Sequence, residues 1–222
     1  MARSESETSA KWQGPGCAEH YARSRFKSRR AAGRDLECVR DLLDELAGPG
    51  RIERLLDVPC GSGRLSRELA ARARRYVGAD ASRPMLREAA PAFAELAQPA
   101  LAIEARAPDL PFLDASFDVI VACRFLHHLH DEQALARTIA ELARVSRGLV
   151  IASFWDASSL PQWRRNLGLK RGEGPRGRVA VSRERIRACF LAAGAEVVAW
   201  RATLRFVSQQ TFVAARVRTR CT

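Results

Sequence analysis

The sequence lacks the features that mark several special classes of protein. No run approaches the ~20 apolar residues that a membrane helix needs, and residues 1–9 have no apolar stretch of the kind found in secretory leaders. The six cysteines are scattered and include no C-x-x-C pair, so neither a structural zinc site nor a disulfide framework is indicated. These absences favour a cytoplasmic protein with reduced thiols and no metal centre.

Lysine is scarce as well. The chain contains only Lys11, Lys27 and Lys170, so arginine carries almost all of the positive charge behind the formal net charge of +12. The arginines are spread along the chain and form no single block, which is typical of a coding bias toward arginine. The other interpretation is a polyanionic partner, either nucleic acid or acidic lipid.

What the sequence does contain is an alternation of short apolar runs and amphipathic segments. Its 222 residues are enough for one substantial α/β domain and too few for two. The runs that predict parallel strands are 55–58, 76–79, 101–105, 117–123 and 148–153. Segments 196–206 and 209–217 predict an antiparallel hairpin. Together they predict a doubly wound, mostly parallel seven-stranded sheet with helices on both faces.

Helical periodicity and capping residues divide the rest of the chain. The predicted helices are 35–46, 65–73, 84–96, 131–145 with Asp131 as cap, and one that Ser182 begins. Residues 1–34 are expected to be a flexible tail and cap segment, and residues 35–222 a single domain. An insert at about 154–181 is rich in Gly, Pro, Arg and Trp, and it is either a lid over an anionic or aromatic substrate or a solvated loop.

The stretch 55–64 has the pattern of a ligand-binding loop. An apolar run ends at Asp57, Gly61 and Gly63 allow close backbone approach, and a helix begins immediately afterwards. Asp80 ends the next strand, where its carboxylate can accept hydrogen bonds from a ribose diol or can instead cap the following helix. Ligands of open α/β sheets bind at the carboxyl ends of the strands, so a nucleotide-type site is predicted here.

Four segments in succession resemble the motifs of class I S-adenosylmethionine-dependent methyltransferases. They are DVPCGSG at 57–63, VGADASRPML at 77–86, LPFLDASFDV at 110–119 and FLHHL at 125–129. The resemblance spans about residues 52–153 and looks closest to the small-molecule branch that includes quinone-biosynthesis methyltransferases. It implies S-adenosylmethionine as the cofactor and methyl transfer to an oxygen, nitrogen or carbon atom of a small acceptor.

The same resemblance implies two sets of cofactor-binding positions. Those near the methionine end are Asp57, Pro59, Cys60, Gly61, Gly63, Cys123 and Arg124, with Tyr21 or Arg25 folding over the carboxylate. Those near the ribose and adenine are Asp80, Ala81, Met85, Arg106 and Ala107. Two positions depart from the family pattern. Pro59 replaces a customary glycine, and Arg106 replaces an acidic residue that often receives the adenine amine, so the backbone of Ala107 is the preferred adenine contact.

Histidines follow the fourth predicted strand, beside the expected position of the methyl group. His127 or His128 is predicted to act as a base or substrate contact, because imidazole is readily poised near neutral pH. Packing in the core or capping a helix is the alternative for each. The Asn/Asp-Pro-Pro-aromatic signature of amino-methylating nucleic-acid enzymes is absent after this strand. An RNA methyltransferase and a non-catalytic S-adenosylmethionine-binding module remain alternative functions.

Overall fold

The computed structural model describes residues 29–48, 50–160, 162, 178–204 and 208–218, with side chains of the first helix described from residue 33 onward. The predicted positions Tyr21 and Arg25 lie outside these residues, as does most of the predicted tail and of the predicted insert. The strands are β1 Ile52–Asp57, β2 Ala73–Asp80, β3 Ala100–Glu104, β4 Phe117–Ala122, β5 Ser146–Asp156, β6 Ala180–Val181, β7 Ala195–Ala202 and β8 Gln210–Val217. The helices that pack on them are α1 Arg29–Leu46, α2 Ser66–Arg72, α3 Arg83–Ala94, α4 Glu132–Val145 and α5 Arg183–Ala192, and a 3-10 turn spans Leu126–His128.

All the strands belong to one sheet. Its order is β3-β2-β1-β4-β5-β8-β7, and the two-residue β6 pairs with the end of β5 outside this path. Strands β1 to β5 run parallel to one another, whereas β8 is antiparallel to both β5 and β7. The predicted α/β fold, with a mostly parallel sheet and a closing antiparallel hairpin, is confirmed.

Alternating side chains build a separate apolar core on each face of the sheet. Leu55 and Val119 pack on one face with α1 and α2, whereas Leu56 and Ile120 pack on the other with α4 and α5. Each helix therefore needs one apolar stripe only. Within the described part of the chain, none of the helices combines the length and the apolar content required to cross a bilayer.

Three serine or aspartate side chains begin the helices that follow the site. Asp131 accepts a hydrogen bond from the Ala134 amide at 2.9 Å and begins α4. Ser182 accepts from the Arg185 amide at 3.2 Å and begins α5. Both caps are confirmed as predicted. Ser82, and not Asp80, caps α3.

Several elements extend beyond their predicted bounds. The first helix begins at Arg29 and crosses the predicted boundary between residues 34 and 35, because alanine and arginine favour helix without an apolar stripe. Strand β5 continues to Asp156, where it pairs with β6 and β8. Both ends of the predicted insert at 154–181 are therefore strands of the sheet. Local periodicity did not reveal them, since their pairing partners are distant in the sequence.

Gly148 provides a test of how β5 is held beside β4. A Cβ atom at this position would lie 2.6 Å from the backbone carbonyl oxygen of Asp118, at the irregular part of the β4–β5 ladder. We expect Gly148→Ala to lower the free energy of unfolding by about 1–3 kcal/mol, because backbone atoms cannot rotate away. Urea unfolding measures this change. The matched control is Gly33→Ala in α1, where nothing lies within 4 Å of the added atom and a gain of up to ~1 kcal/mol is expected. Equal stability of the two variants would contradict the packing assigned to Gly148.

Candidate functional site

The predicted site residues that the structure describes lie at one edge of the sheet. This edge is formed by the carboxyl ends of β1 to β5, and the strand order reverses between β1 and β4. Such a reversal opens a crevice in which ligands bind. The residues at this edge are Asp57, Pro59, Cys60, Gly61 and Gly63 after β1, Asp80 and Ala81 at the end of β2, Met85 in α3, Arg106 and Ala107 after β3, Cys123 and Arg124 after β4, and His127 and His128 in the 3-10 turn.

Backbone amides tie the loop after β1 to the end of β2. Pro59 has no N–H, and its peptide bond with Val58 is cis. The Cys60 amide donates to the Ala79 carbonyl at 2.9 Å, and the Gly61 amide donates to Asp80 Oδ2 at 2.9 Å. The loop and the strand end therefore form one hydrogen-bonded unit.

The two predicted loop glycines serve different purposes. Both have positive φ angles, 56° at Gly61 and 73° at Gly63, which side chains rarely adopt. A Cβ on Gly61 would meet nothing within 4 Å, so backbone conformation alone demands glycine there. A Cβ on Gly63 would lie 3.3 Å from the Cβ atoms of both Ala89 and Ala92 on α3. Gly63 therefore also permits close packing of α3 against the loop.

Asp80 is the carboxylate that organises the end of β2. Its Oδ1 accepts a hydrogen bond from the Ser82 amide at 2.9 Å, while Oδ2 accepts from Gly61. Burial raises the pKa of Asp80, and these two amide bonds oppose the rise. A carboxylate has about four lone-pair positions, so two remain for a ligand. Ser82 in turn accepts from the Met85 amide at 3.4 Å, which places Met85 in the first turn of α3.

Asp57 is buried at the end of β1. The Tyr76 hydroxyl donates to Asp57 Oδ2 at 2.9 Å, while Oδ1 has no hydrogen-bond partner among the described residues. Burial raises the pKa of Asp57 to about 7, the Tyr76 bond and Arg64 oppose the rise, and Asp80 adds to it. Burial also raises the pKa of Tyr76. Tyr76 had not been predicted as a site residue, since an aromatic residue in a buried strand is usual.

An ion-pair cluster joins α1 to the loops after β1 and β4. Asp35 on α1 is only 1% exposed, and its Oδ2 accepts from Arg64 Nη2 at 3.2 Å and from Arg124 Nε. The same Nη2 atom lies 3.5 Å from Cys123 Sγ. Burial raises the pKa of the Cys123 thiol to about 12, so this sulfur is a neutral neighbour. The cluster brings the predicted Cys123 and Arg124 together with Asp35 and Arg64, which had not been predicted.

A second buried network fixes the backbone of Arg124. This residue has φ of 57°, and its amide donates to Ser153 Oγ at 2.6 Å. Gln210 Nε2 donates to the same oxygen at 2.7 Å. Ser153 belongs to β5 and Gln210 to β8, so the closing hairpin supports the loop after β4. Neither residue carried a sequence signal, since both are ordinary strand positions.

The histidine turn packs against an aromatic group on β5. His127 is 1% exposed, and its ring is stacked on Trp155 with centroids 5.2 Å apart. The His128 ring is partly exposed and lies 4.4 Å from that of His127. The Arg178 guanidinium lies 5.1 Å from the Trp155 ring centroid, and the Val179 amide donates to the His127 carbonyl at 2.8 Å. Two segments that are distant in the sequence therefore meet at Trp155.

The positions predicted near the adenine differ in exposure. Arg106 is exposed in the turn after β3, where its carbonyl accepts a hydrogen bond from the Asp109 amide at 3.0 Å. Ala107 is buried in the core on the α4 face. The predicted adenine contact at the backbone of Ala107 stays a prediction.

Sequence comparisons link the central part of the chain to methyltransferases. Residues 55–148 match the protein-family profile described as "Methyltransferase domain". Uncharacterized methyltransferases of Mycobacterium tuberculosis and Mycobacterium bovis are each 31% identical over 113 residues, which are 51% of this chain and 56% of theirs. The chain thus spans about half the length of the curated relatives that it matches.

Solved structures share the fold at low sequence identity. The magnesium protoporphyrin IX methyltransferase ChlM of Synechocystis PCC 6803, solved with bound SAH, is similar with a TM-score of 0.77 at 19% identity, covering 97% of this chain and 100% of that one. The [4+2]-cyclase SpnF is similar with a TM-score of 0.61 at 19% identity, covering 82% and 80%. This likeness shows a common fold, and the reaction must be argued from the site.

The raised pKa of Asp57 predicts a pH-dependent stability. Between the ordinary aspartate pKa of 3.8 and the raised pKa of about 7, the folded protein keeps a proton that the unfolded chain releases. The stabilisation from this proton is complete below about pH 4 and is lost as pH rises to 7. The loss lowers the free energy of unfolding by roughly 2–4 kcal/mol. Asp57→Asn cannot titrate. As pH rises from 4 to 8, the free energy of unfolding of this variant should therefore increase relative to that of the natural protein by roughly 2–4 kcal/mol. Urea unfolding without added ligand measures both. A difference that stays constant with pH would contradict the buried, protonated state.

Proposed function

We propose that this chain, which carries a class I, Rossmann-like methyltransferase domain, transfers the methyl group of S-adenosylmethionine to a small-molecule acceptor. The atom methylated is an oxygen, nitrogen or carbon nucleophile. The observation that carries the proposal is the pairing of the loop after β1 with Asp80, in which the Gly61 and Ser82 amides orient the carboxylate. A carboxylate fixed in this way suits a ribose diol, and each charge-assisted bond contributes about 1.5–3 kcal/mol.

The residues around Asp80 divide the cofactor between two regions. The ribose and adenine would lie toward Asp80, Ala81 and Met85, with the backbone at Ala107 beside the adenine. The methionine end would lie toward the loop of Pro59, Cys60, Gly61 and Gly63, with Asp57, Cys123 and Arg124 around it. This division is supported by the strand order, since β2 and β3 are on one side of β1 and β4 is on the other.

Charges at the methionine end match those of the cofactor. A zwitterionic amino-acid group carries one carboxylate and one ammonium, and the cofactor's sulfonium supplies the transferable methyl group. Arg124 contributes a cation at this end of the crevice, and Asp57 contributes a buried carboxyl group, one oxygen of which has no hydrogen-bond partner in the described part of the chain. Opposite charges at such sites favour binding through charge-assisted hydrogen bonds.

The acceptor side is assigned to the group formed by His127, His128, Trp155 and Arg178. Methyl transfer is an in-line displacement that needs positioning and, for a hydroxyl or amine, a route for the acceptor's proton. His128 is partly exposed and is therefore the better candidate to touch the acceptor. The buried His127 ring packs against the His128 ring. The Trp155 face and the Arg178 guanidinium suit an acceptor that is aromatic or anionic.

Incubation with methyl-labelled S-adenosylmethionine and fractionated cell extract tests the function. We expect label in the small-molecule fraction with the natural protein and none with Asp80→Ala, whose affinity for the cofactor should fall at least ~100-fold because two charge-assisted bonds are lost. Asp109→Ala, at an aspartate exposed in the turn after β3, is the matched control and should transfer label normally.

Other outcomes of this experiment identify the alternatives. Label in the nucleic-acid fraction would support an RNA methyltransferase, the interpretation that the basic composition left open. Tight cofactor binding without transfer to any fraction would support a non-catalytic binding module. Either outcome would overturn the proposal of a small-molecule acceptor.

Substitution of the histidines tests the acceptor side separately. We expect His128→Ala to lower kcat by about 10²–10⁴-fold while cofactor affinity is unchanged, because loss of a positioned base slows proton removal only. His130→Ala, two residues further along the same loop, is the control. A normal kcat after replacing both His127 and His128 would remove the catalytic role from this turn.

A further inference from the structure

We propose that Asp35 is a positioning residue that fixes Arg64 and Arg124 as a two-arginine clamp for the carboxylate of the cofactor's methionine end. The proposal rests on the proposed function and names a specificity determinant within that site. Asp35 belongs to α1, outside the segment 55–148 that matches the methyltransferase profile, so that match assigns it no role.

The geometry places one buried anion between two cations from different loops. Arg64 begins the segment after the glycine loop, and Arg124 follows β4, yet both donate to the same atom, Asp35 Oδ2. Burial of a carboxylate without partners is strongly unfavourable, so this pairing holds both guanidinium groups at fixed positions. The side chains of Arg64 and Arg124 are 31% and 22% exposed, so part of each remains accessible to solvent.

Asp35 itself is closed to a ligand. Its Oδ1 atom is buried and has no hydrogen-bond partner among the described residues, and the whole residue is only 1% exposed. An anion arriving from solvent therefore meets the arginines and not the aspartate. A guanidinium carries five N–H donors in a planar fork, so each arginine can bind a carboxylate while it keeps its bond to Asp35.

The site of the clamp agrees with the rest of the crevice. Arg64 Nη2 lies 3.5 Å from Cys123 Sγ at the end of β4, and Arg64 is close enough to Asp57 to oppose its pKa rise. The left-handed backbone of Arg124 is fixed by Ser153 Oγ. The clamp therefore spans the β1–β4 crevice, on the side to which the methionine end is assigned.

Binding of two related cofactors tests the clamp. Isothermal titration calorimetry would compare S-adenosylmethionine with decarboxylated S-adenosylmethionine, which lacks only the carboxylate. We expect Asp35→Asn to weaken the former at least ~10-fold and the latter less than ~3-fold, because only the former needs ordered arginines. The matched control is Asp118→Asn, which removes an aspartate paired with Arg147 at the opposite end of β4. It should leave both affinities unchanged.

The ratio of the two affinities separates positioning from a merely structural role. Equal weakening of both compounds by Asp35→Asn would overturn the proposal, since loss of structure does not depend on the ligand's carboxylate. If this variant does not fold, as judged by circular dichroism, Arg64→Gln gives the same test. It should lower the ratio of the affinity for S-adenosylmethionine to the affinity for decarboxylated S-adenosylmethionine. Failure of the natural protein to bind either compound would overturn the proposed function itself. Tight binding with an unchanged ratio in both variants would overturn the clamp alone.

Discussion

The hydrogen bond from the Gly61 amide to the Asp80 carboxylate is the contact on which the rest of the site depends. Pro59 has no N–H, so the loop after β1 is tied to β2 by the amides of Cys60 and Gly61. The same carboxylate also accepts from Ser82, the residue that caps α3. One buried side chain therefore aligns the ends of two strands and the start of a helix. The left-handed φ angle of Gly61 is part of this arrangement, because it is the conformation in which that amide meets the carboxylate.

Three carboxyl groups are buried around this contact, and each is compensated differently. Backbone amides stabilise Asp80 and two arginines stabilise Asp35, whereas among the described residues one tyrosine hydroxyl donates to Asp57. Compensation is least complete for Asp57, and burial accordingly brings its pKa to about 7. Under the proposed function, the positive groups of the cofactor favour the ionised form of Asp57. Cofactor binding and proton release are then linked, so the pH dependence of affinity reports on the interior of the site.

The acceptor side depends on features that the shared fold does not specify. A doubly wound sheet supplies the crevice, and the reactions found on it differ. In this chain Trp155, from the extended end of β5, packs against His127 of the 3-10 turn and against Arg178 before β6. These three residues come from separate segments, and the extension of β5 to Asp156 is what brings Trp155 beside the histidines. Under the proposed function, the choice of acceptor would depend on this corner of the molecule.

The predicted resemblance to methyltransferases is supported over residues 55–148 by the family profile, and the predicted α/β fold is confirmed. Local sequence patterns were enough to predict the main strands and helices, the caps at Asp131 and Ser182, and the place of the glycine loop. Each depends on residues that are near one another in the chain, through hydrophobic period, side-chain capping and backbone freedom. The same patterns could not predict that Asp35 meets the arginines of two distant loops or that Gln210 supports the loop after β4. Those contacts follow from strand order and from the burial of α1, which are set by packing between segments far apart in the sequence.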